Sequence, residues 1–98
     1  MKKVGIIGGT GRIGQLLVKL LKQEEAELSL YVQSKEKAQR LGFGDISLIE
    51  GNVLDTDRLS KAIEEKDIVV AILSGDLLSY AKSIADALKR NPQAHIIW

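Results

Sequence analysis

A run of glycines separates the first strand-like stretch of the chain from its first helix-like stretch. A mainly apolar stretch at residues 3–7 is followed by Gly8-Gly9-Thr10-Gly11-Arg12-Ile13-Gly14, and apolar residues then recur at helical spacing through Lys22. This order predicts a strand, a tight turn and the N-terminus of a helix. A strand that turns directly into a helix is the unit from which parallel α/β sheets are built.

The positions of the glycines fit a turn that carries phosphates. Gly8 can make the tight turn, Gly11 can let a phosphate approach the backbone, and Gly14 can let the helix pack closely on the strand. Free N–H groups and the positive end of the helix dipole would meet the phosphates there. The spacing therefore predicts a dinucleotide-binding turn, and a purely structural turn is the alternative.

Strand and helix patterns alternate along the rest of the chain. Further strands are predicted at residues 28–33, 46–50, 67–73 and 94–98. One helix is predicted at residues 35–41 and ends at Gly42. A second is predicted to begin after a cap at Asp55 or Thr56, and a third to run from Leu77 to Leu88. In the first helix, five apolar residues predict a broad and well-buried face: Ile13, Leu16, Leu17, Leu20 and Leu21.

This alternation predicts a single α/β domain over residues 1–98, with a doubly wound parallel sheet of about five strands. Right-handed crossovers, and a phosphate turn after the first strand, favour the strand order 3-2-1-4-5. The ligand crevice is then expected between the first and fourth strands.

The composition narrows the partners and the compartment. The 98 residues carry 14 Lys plus Arg and 13 Asp plus Glu, a net charge of +1, so no strong field favours nucleic acid or an anionic membrane. No stretch has the length or apolar character of a membrane span or a signal peptide. The chain has no cysteine, which fits a reducing compartment, and we expect a cytoplasmic location.

Taken together, the glycine turn, Gly51-Asn52-Val53-Leu54-Asp55 and residues 67–75 resemble the short-chain dehydrogenase/reductase superfamily. The resemblance is to its atypical branch, which includes NmrA-like and NADH-flavin-reductase-like proteins. It covers the whole chain but only the cofactor-binding half of the family's Rossmann domain. The chain is thus expected to be truncated at the fifth strand.

The resemblance implies a set of cofactor contacts. The pyrophosphate would lie on the turn formed by Gly8, Thr10, Gly11, Arg12, Ile13 and Gly14. Asn52 and Val53 would lie along the adenine, and Leu73, Ser74 and Gly75 would lie beneath the ribose on the nicotinamide side. The family more often has Asp at the position of Asn52, and a turn role is the alternative for this residue.

The end of the second strand bears on the choice between NAD and NADP. NAD sites usually have a carboxylate there for the ribose 2′-hydroxyl, but this chain has Gln33, Ser34 and Lys35. Lys35, Ser34 and Arg12 could bind a 2′-phosphate, so NADP(H) is favoured over NAD(H). The alternative is that Ser34 only caps the next helix and that Lys35 and Arg12 face solvent.

No catalytic or metal-binding residue is predicted. Tyr31 and Lys35 match the family's Tyr-x-x-x-Lys spacing, but on a strand they lie roughly 13 Å apart, against roughly 6 Å in a helix. Tyr31 is therefore expected in sheet packing, and Tyr80 on a helix surface. His95 lacks acidic or metal-binding partners, and Trp98 is expected to pack on the last helix or on another chain.

Three interpretations remain open at this stage. The first is the NAD(P)(H)-binding half of an oxidoreductase, which lacks the catalytic residues. The second is an NmrA-like module that binds a dinucleotide and signals its redox state to a partner. The third is an α/β domain in which the glycine turn has no ligand. Self-association through the C-terminal edge strand is expected if that edge is free.

Overall fold

Five strands form one parallel sheet in the computed structural model, which describes residues 2–97. Their bounds are β1 Lys2–Gly8, β2 Ala26–Val32, β3 Ser47–Glu50, β4 Ile68–Ile72 and β5 His95–Ile97. The strand order is β3-β2-β1-β4-β5 and every neighbouring pair is parallel. The predicted fold class and strand order are confirmed. The prediction for Trp98 lies outside the described residues.

Four helices connect the strands: α1 Arg12–Lys22, α2 Lys35–Ala38, α3 Thr56–Ala62 and α4 Leu77–Arg90. Helix α2 is shorter than predicted, because the chain continues from Gln39 to Phe43 in a wider turn in which Gly42 has φ +89°. A residue without Cβ adopts that angle readily. None of the described helices has both the length and the apolar character needed to cross a membrane.

The sheet separates two apolar clusters. On one face, β-strand residues such as Ile7 and Val69 pack with Leu59 of α3 and Ile84 of α4. On the other face, a second cluster packs under α1 and α2, and its fully or nearly buried members are Val4, Ile6, Val18, Leu30, Val32, Ala38 and Phe43. Burial on both faces explains why the central strands are almost continuously apolar.

The predicted burial of the first helix is wrong. Only Gly14 and Val18 of α1 are buried, whereas Ile13 is 74% exposed, Leu16 62% and Leu20 60%. The spacing of the apolar residues correctly predicts a helix. How much of its apolar face is buried depends on the elements that lie beside the helix. Here α1 contacts the sheet through a narrow strip, and its apolar flank projects past that strip.

The exposed flank of α1 points toward a part of the sheet that residues 2–97 cover only partly. Lys22 Nζ lies 2.8 Å from Asp45 Oδ2, just before β3, and Leu20 projects about 160° away from Lys22 around the helix. Leu20 therefore faces the β4 side. There, Val70 is only half-buried and Ile97, its partner in register on β5, is 54% exposed, because α3 and α4 pack on the opposite face.

A matched pair of leucine substitutions tests this distribution of burial. Leu59→Ala removes a side chain that is fully buried between the sheet and α3, and we expect it to lower the free energy of unfolding by about 3 kcal/mol. Leu20→Ala should change it by less than about 0.5 kcal/mol. Urea denaturation followed by circular dichroism measures both, and a large loss for Leu20→Ala would contradict the exposed flank.

Candidate functional site

A cavity of about 640 Å³ opens at the carboxyl ends of the strands, where α1 begins. This volume is within the range of small-molecule and cofactor sites. The cavity is lined by the glycine turn, by the ends of β2 and β4, and by the loop after β3. Of the predicted site residues, eleven line it: Gly8, Thr10, Gly11, Arg12, Ile13, Gly14, Gln33, Asn52, Val53, Leu73 and Ser74.

The glycines of the turn have different physical roles. Gly8 and Gly9 have φ angles of +98° and +101°, which side chains disfavour. A Cβ on Gly14 would lie 2.5 Å from the Cα of Gly9, so only glycine lets α1 approach the turn this closely. A Cβ on Gly11 would meet nothing within 4 Å. The fold itself therefore tolerates a side chain at Gly11. We expect that a bound ligand would not tolerate one there.

The N-terminus of α1 is well suited to an anion. Gly11 is the N-cap residue, and within the described chain no side chain caps this end and no acidic residue lies in its first turn. The first N–H groups of a helix carry the positive end of its dipole and need acceptors. The side-chain amide of Gln15 donates to the Thr10 carbonyl at 2.9 Å, which holds the turn against the helix.

The lysine that lines the cavity near the end of β2 is not the one that the sequence predicted. Lys37 lines it, whereas Ser34 and Lys35 do not. Ser34 caps α2, because its Oγ accepts from the Lys37 N–H at 3.2 Å, and the Lys35 N–H donates to Glu50 Oε1 at 2.9 Å. Ser34 therefore takes the capping role that was its alternative, and Lys35 lies outside the lining of the cavity. Helical geometry explains this, since residues two apart project about 200° from each other.

The loop after β3 is held from two sides. The Tyr31 hydroxyl donates to the Asn52 carbonyl at 2.7 Å, and the Ser83 hydroxyl donates to the Val53 carbonyl at 2.6 Å. Burial and the nearby Asp55 carboxylate raise the pKa of Tyr31, so this donor stays protonated. Asn52 Oδ1 accepts from the Leu54 N–H at 2.9 Å. Asn52 therefore forms the turn that was its alternative role and also lines the cavity.

An aromatic residue lines the cavity near the end of β4, although the sequence pattern did not predict it there. Tyr80 of α4 lines the cavity together with Leu73 and Ser74, whereas Gly75 does not. Gly75 has φ +110°, and a Cβ there would lie 3.5 Å from the Tyr80 hydroxyl. Gly75 thus lies next to the cavity lining rather than in it, and Tyr80 is a half-buried helix residue. Tyr80 belongs to the wall of the cavity.

Asp76 fixes the start of α4 beside this wall. Its carboxylate accepts hydrogen bonds from the Ser79 hydroxyl at 2.7 Å and from the Ser79 N–H at 3.3 Å. These bonds hold the pKa of Asp76 below its usual value, so the cap remains ionised near neutral pH.

His95 is exposed, and in residues 2–97 no group of three or more acidic or histidine side chains is placed to hold a metal.

The fold and the cavity define a dinucleotide-binding domain of the Rossmann type. The parallel order of the strands, the glycine turn after β1 and the cavity at the switch point between β1 and β4 are the elements of that class. A family model described as NAD(P)H-binding matches residues 8–98. The chain belongs to this family of NAD(P)H-binding domains.

Longer proteins contain similar domains. The chain is 35% identical to eugenol synthase 2 from Clarkia breweri over 89% of its length, but covers 31% of that protein. It superposes on a Rossmann-fold NAD(P)-binding family protein from Shigella flexneri with a TM-score of 0.88 and 28% identity, covering 100% of this chain and 51% of that one. The chain thus spans about half or less of these relatives.

A solved complex shares the fold at lower identity. The triphenylmethane reductase of Citrobacter sp., solved with NADP(H), matches with a TM-score of 0.79 and 21% identity, over 95% of this chain and 35% of that one. At this identity the likeness concerns the fold alone.

Two glycine substitutions should separate ligand binding from folding. We expect Gly11→Ala to leave the free energy of unfolding within about 0.5 kcal/mol of the parent while weakening NADPH binding more than about tenfold, because its methyl group occupies phosphate space. Gly14→Ala should destabilise the fold by more than about 2 kcal/mol, because the turn must shift. Thermal unfolding and calorimetric titration measure the two effects, and full NADPH affinity in Gly11→Ala would contradict the phosphate site.

Proposed function

We propose that this chain is the cofactor-binding half of a reductase of the short-chain dehydrogenase/reductase type, with a preference for NADP(H). The observation that carries the preference is the charge of the cavity wall. Arg12 and Lys37 line the cavity, and no Asp or Glu is found among its lining residues within the described chain. A 2′-phosphate needs cations, whereas NAD sites usually present a carboxylate to the free 2′-hydroxyl.

The positions of the two cations indicate which end of the cavity would hold the phosphorylated ribose. Lys37 lies just after β2, and Arg12 lies at the start of α1, which connects β1 to β2. A 2′-phosphate between them would form charge-assisted hydrogen bonds. The adenine would then lie along Asn52 and Val53. The pyrophosphate would lie on the glycine turn, and the nicotinamide would lie toward β4.

The reductase assignment rests on the NAD(P)H-binding family together with the resemblance to the short-chain dehydrogenase/reductase superfamily. In such enzymes the cofactor supplies the hydride chemistry. The chain's own residues would bind and orient the dinucleotide. An NmrA-like sensor is the alternative, and it predicts NADPH binding without NADPH oxidation, together with a protein partner whose binding depends on the redox state of the dinucleotide.

Lys37 and Lys35 provide a matched test of the NADP preference. Lys37→Ala removes the cation that lines the cavity, so we expect it to weaken NADPH binding about tenfold and to leave NADH binding unchanged. Lys35→Ala removes the same charge two residues away and outside the cavity, so both affinities should stay within about twofold. Isothermal titration calorimetry with NADPH and NADH measures all four combinations.

Two results would contradict this proposal. Equal affinities of the parent chain for NADPH and NADH would remove the 2′-phosphate preference while leaving the dinucleotide site. A loss in Lys35→Ala equal to that in Lys37→Ala would show that the effect is general charge attraction rather than contact with the phosphate.

We also propose that two copies associate through the free edge of β5. This strand pairs with β4 on one side, and its other edge is open in the part of the chain that the structure describes. Unpaired strand edges favour pairing with an identical edge. Ile97 on this strand is an exposed apolar residue. The net charge of +1 means that two copies repel each other only weakly.

Sedimentation equilibrium tests the association. The parent chain should show a dimer mass at high concentration, and Ile97→Lys should remain a monomer, because a lysine on an edge strand opposes pairing. Leu78→Lys is the control, since Leu78 is also an exposed apolar residue but lies on α4, and it should not change the mass. A parent mass equal to the monomer at every concentration would overturn the proposal.

A further inference from the structure

The cavity has two ends with different chemistry. Strands β2 and β4 lie on either side of β1, so their ends are about 10 Å apart. The β2 end carries the cation Lys37 and the polar Gln33, whereas the β4 end carries Leu73, Ser74 and the phenol of Tyr80. With the phosphates on the central turn, one nucleoside of a dinucleotide lies at each end.

We infer that Tyr80 forms the wall against which the nicotinamide riboside half of the dinucleotide binds. This rests on the proposed function, because it takes the phosphorylated adenosine to the Lys37 end. Tyr80 lies at the opposite end of the same cavity, where the nucleoside without the 2′-phosphate would lie. An aromatic face with a hydroxyl can pack on a planar ring and hydrogen bond to a ribose or an amide.

The local structure fixes the backbone from which the phenol projects. The Tyr80 N–H donates to the Asp76 carbonyl at 3.1 Å, and the Asp76 side chain caps the same turn. The ring lies beside Gly75, where a Cβ would be 3.5 Å from the Tyr80 hydroxyl. Tyr80 is therefore on the first turn of α4, in the wall of the cavity, and is only partly covered by protein.

Tyr31 makes a useful contrast. It also lines the cavity, but its hydroxyl is used within the protein, where it donates to the Asn52 carbonyl. Its residual exposure is 4%, so its ring belongs to the core. Tyr80 is half-buried, so its ring surface is available to a ligand. Of the two tyrosines, Tyr80 is the one placed to contact the dinucleotide directly.

A comparison of a whole and a half ligand tests the assignment. The probes are NADPH and 2′,5′-ADP, which has the phosphorylated adenosine but no nicotinamide. We expect Tyr80→Ala to weaken NADPH binding about tenfold and to leave 2′,5′-ADP binding within about twofold. Tyr80→Phe should weaken NADPH binding about threefold, through loss of the hydroxyl alone. Leu78→Ala, an exposed neighbour outside the cavity, should change neither affinity.

The outcomes separate this inference from the proposed function. Equal weakening of both ligands in Tyr80→Ala would overturn the inference, because the ring would then only support the fold; circular dichroism and thermal unfolding report that loss independently. Unchanged NADPH affinity in Tyr80→Ala would overturn it as well. If the parent chain binds neither NADPH nor 2′,5′-ADP, the proposed function fails, and the inference fails with it. Lys37→Ala should weaken both ligands alike, which is the opposite signature.

Discussion

The contact between Gly14 and Gly9 determines where the first helix begins, and the site depends on that position. A Cβ on Gly14 would lie 2.5 Å from Gly9 Cα, so no larger residue permits the same approach. The close contact seats α1 directly above the end of β1. Its free N–H groups then face the cavity, and Arg12 and Ile13 are carried to the cavity wall with it. A wider separation would move the dipole end and both side chains together.

Around this fixed centre, the walls differ in how strongly they are held. The loop after β3 is constrained by hydrogen bonds from Tyr31 to the Asn52 carbonyl and from Ser83 to the Val53 carbonyl. Those donors come from β2 and α4, so elements on both sides of the loop fix its backbone before any ligand binds. Preorganisation of this kind lowers the ordering cost of binding. Lys37, by contrast, brings a flexible side chain, which suits a point contact with a phosphate rather than a shaped pocket.

The sequence allowed the fold to be predicted because few topologies accept alternating strands and helices with a glycine turn after the first strand. The glycine positions were predictable for the same reason. The burial of Leu20 was predicted wrongly, and Lys37 and Tyr80 were not predicted to line the cavity, for one shared reason. Periodicity gives the angular spacing of residues on a helix, but the direction of a side chain depends on how that helix is rotated against its neighbours. Lys35 and Lys37 differ by about 200° in direction, and nothing in the local sequence says which one faces a cavity that three other segments create.

The uneven covering of the sheet links the cavity to whatever packs beside it. Parallel sheets are normally covered on both faces, and within residues 2–97 the face of β4 and β5 that carries Val70 and Ile97 is only partly covered, while the flank of α1 beside it is apolar. Ile13 belongs to both surfaces: it is exposed on that flank and it lines the cavity. A polypeptide that covers the open face, from a second copy or from a longer chain, would therefore reach the edge of the cavity at α1. Such a polypeptide would consequently contact Ile13, a residue that also lines the cavity.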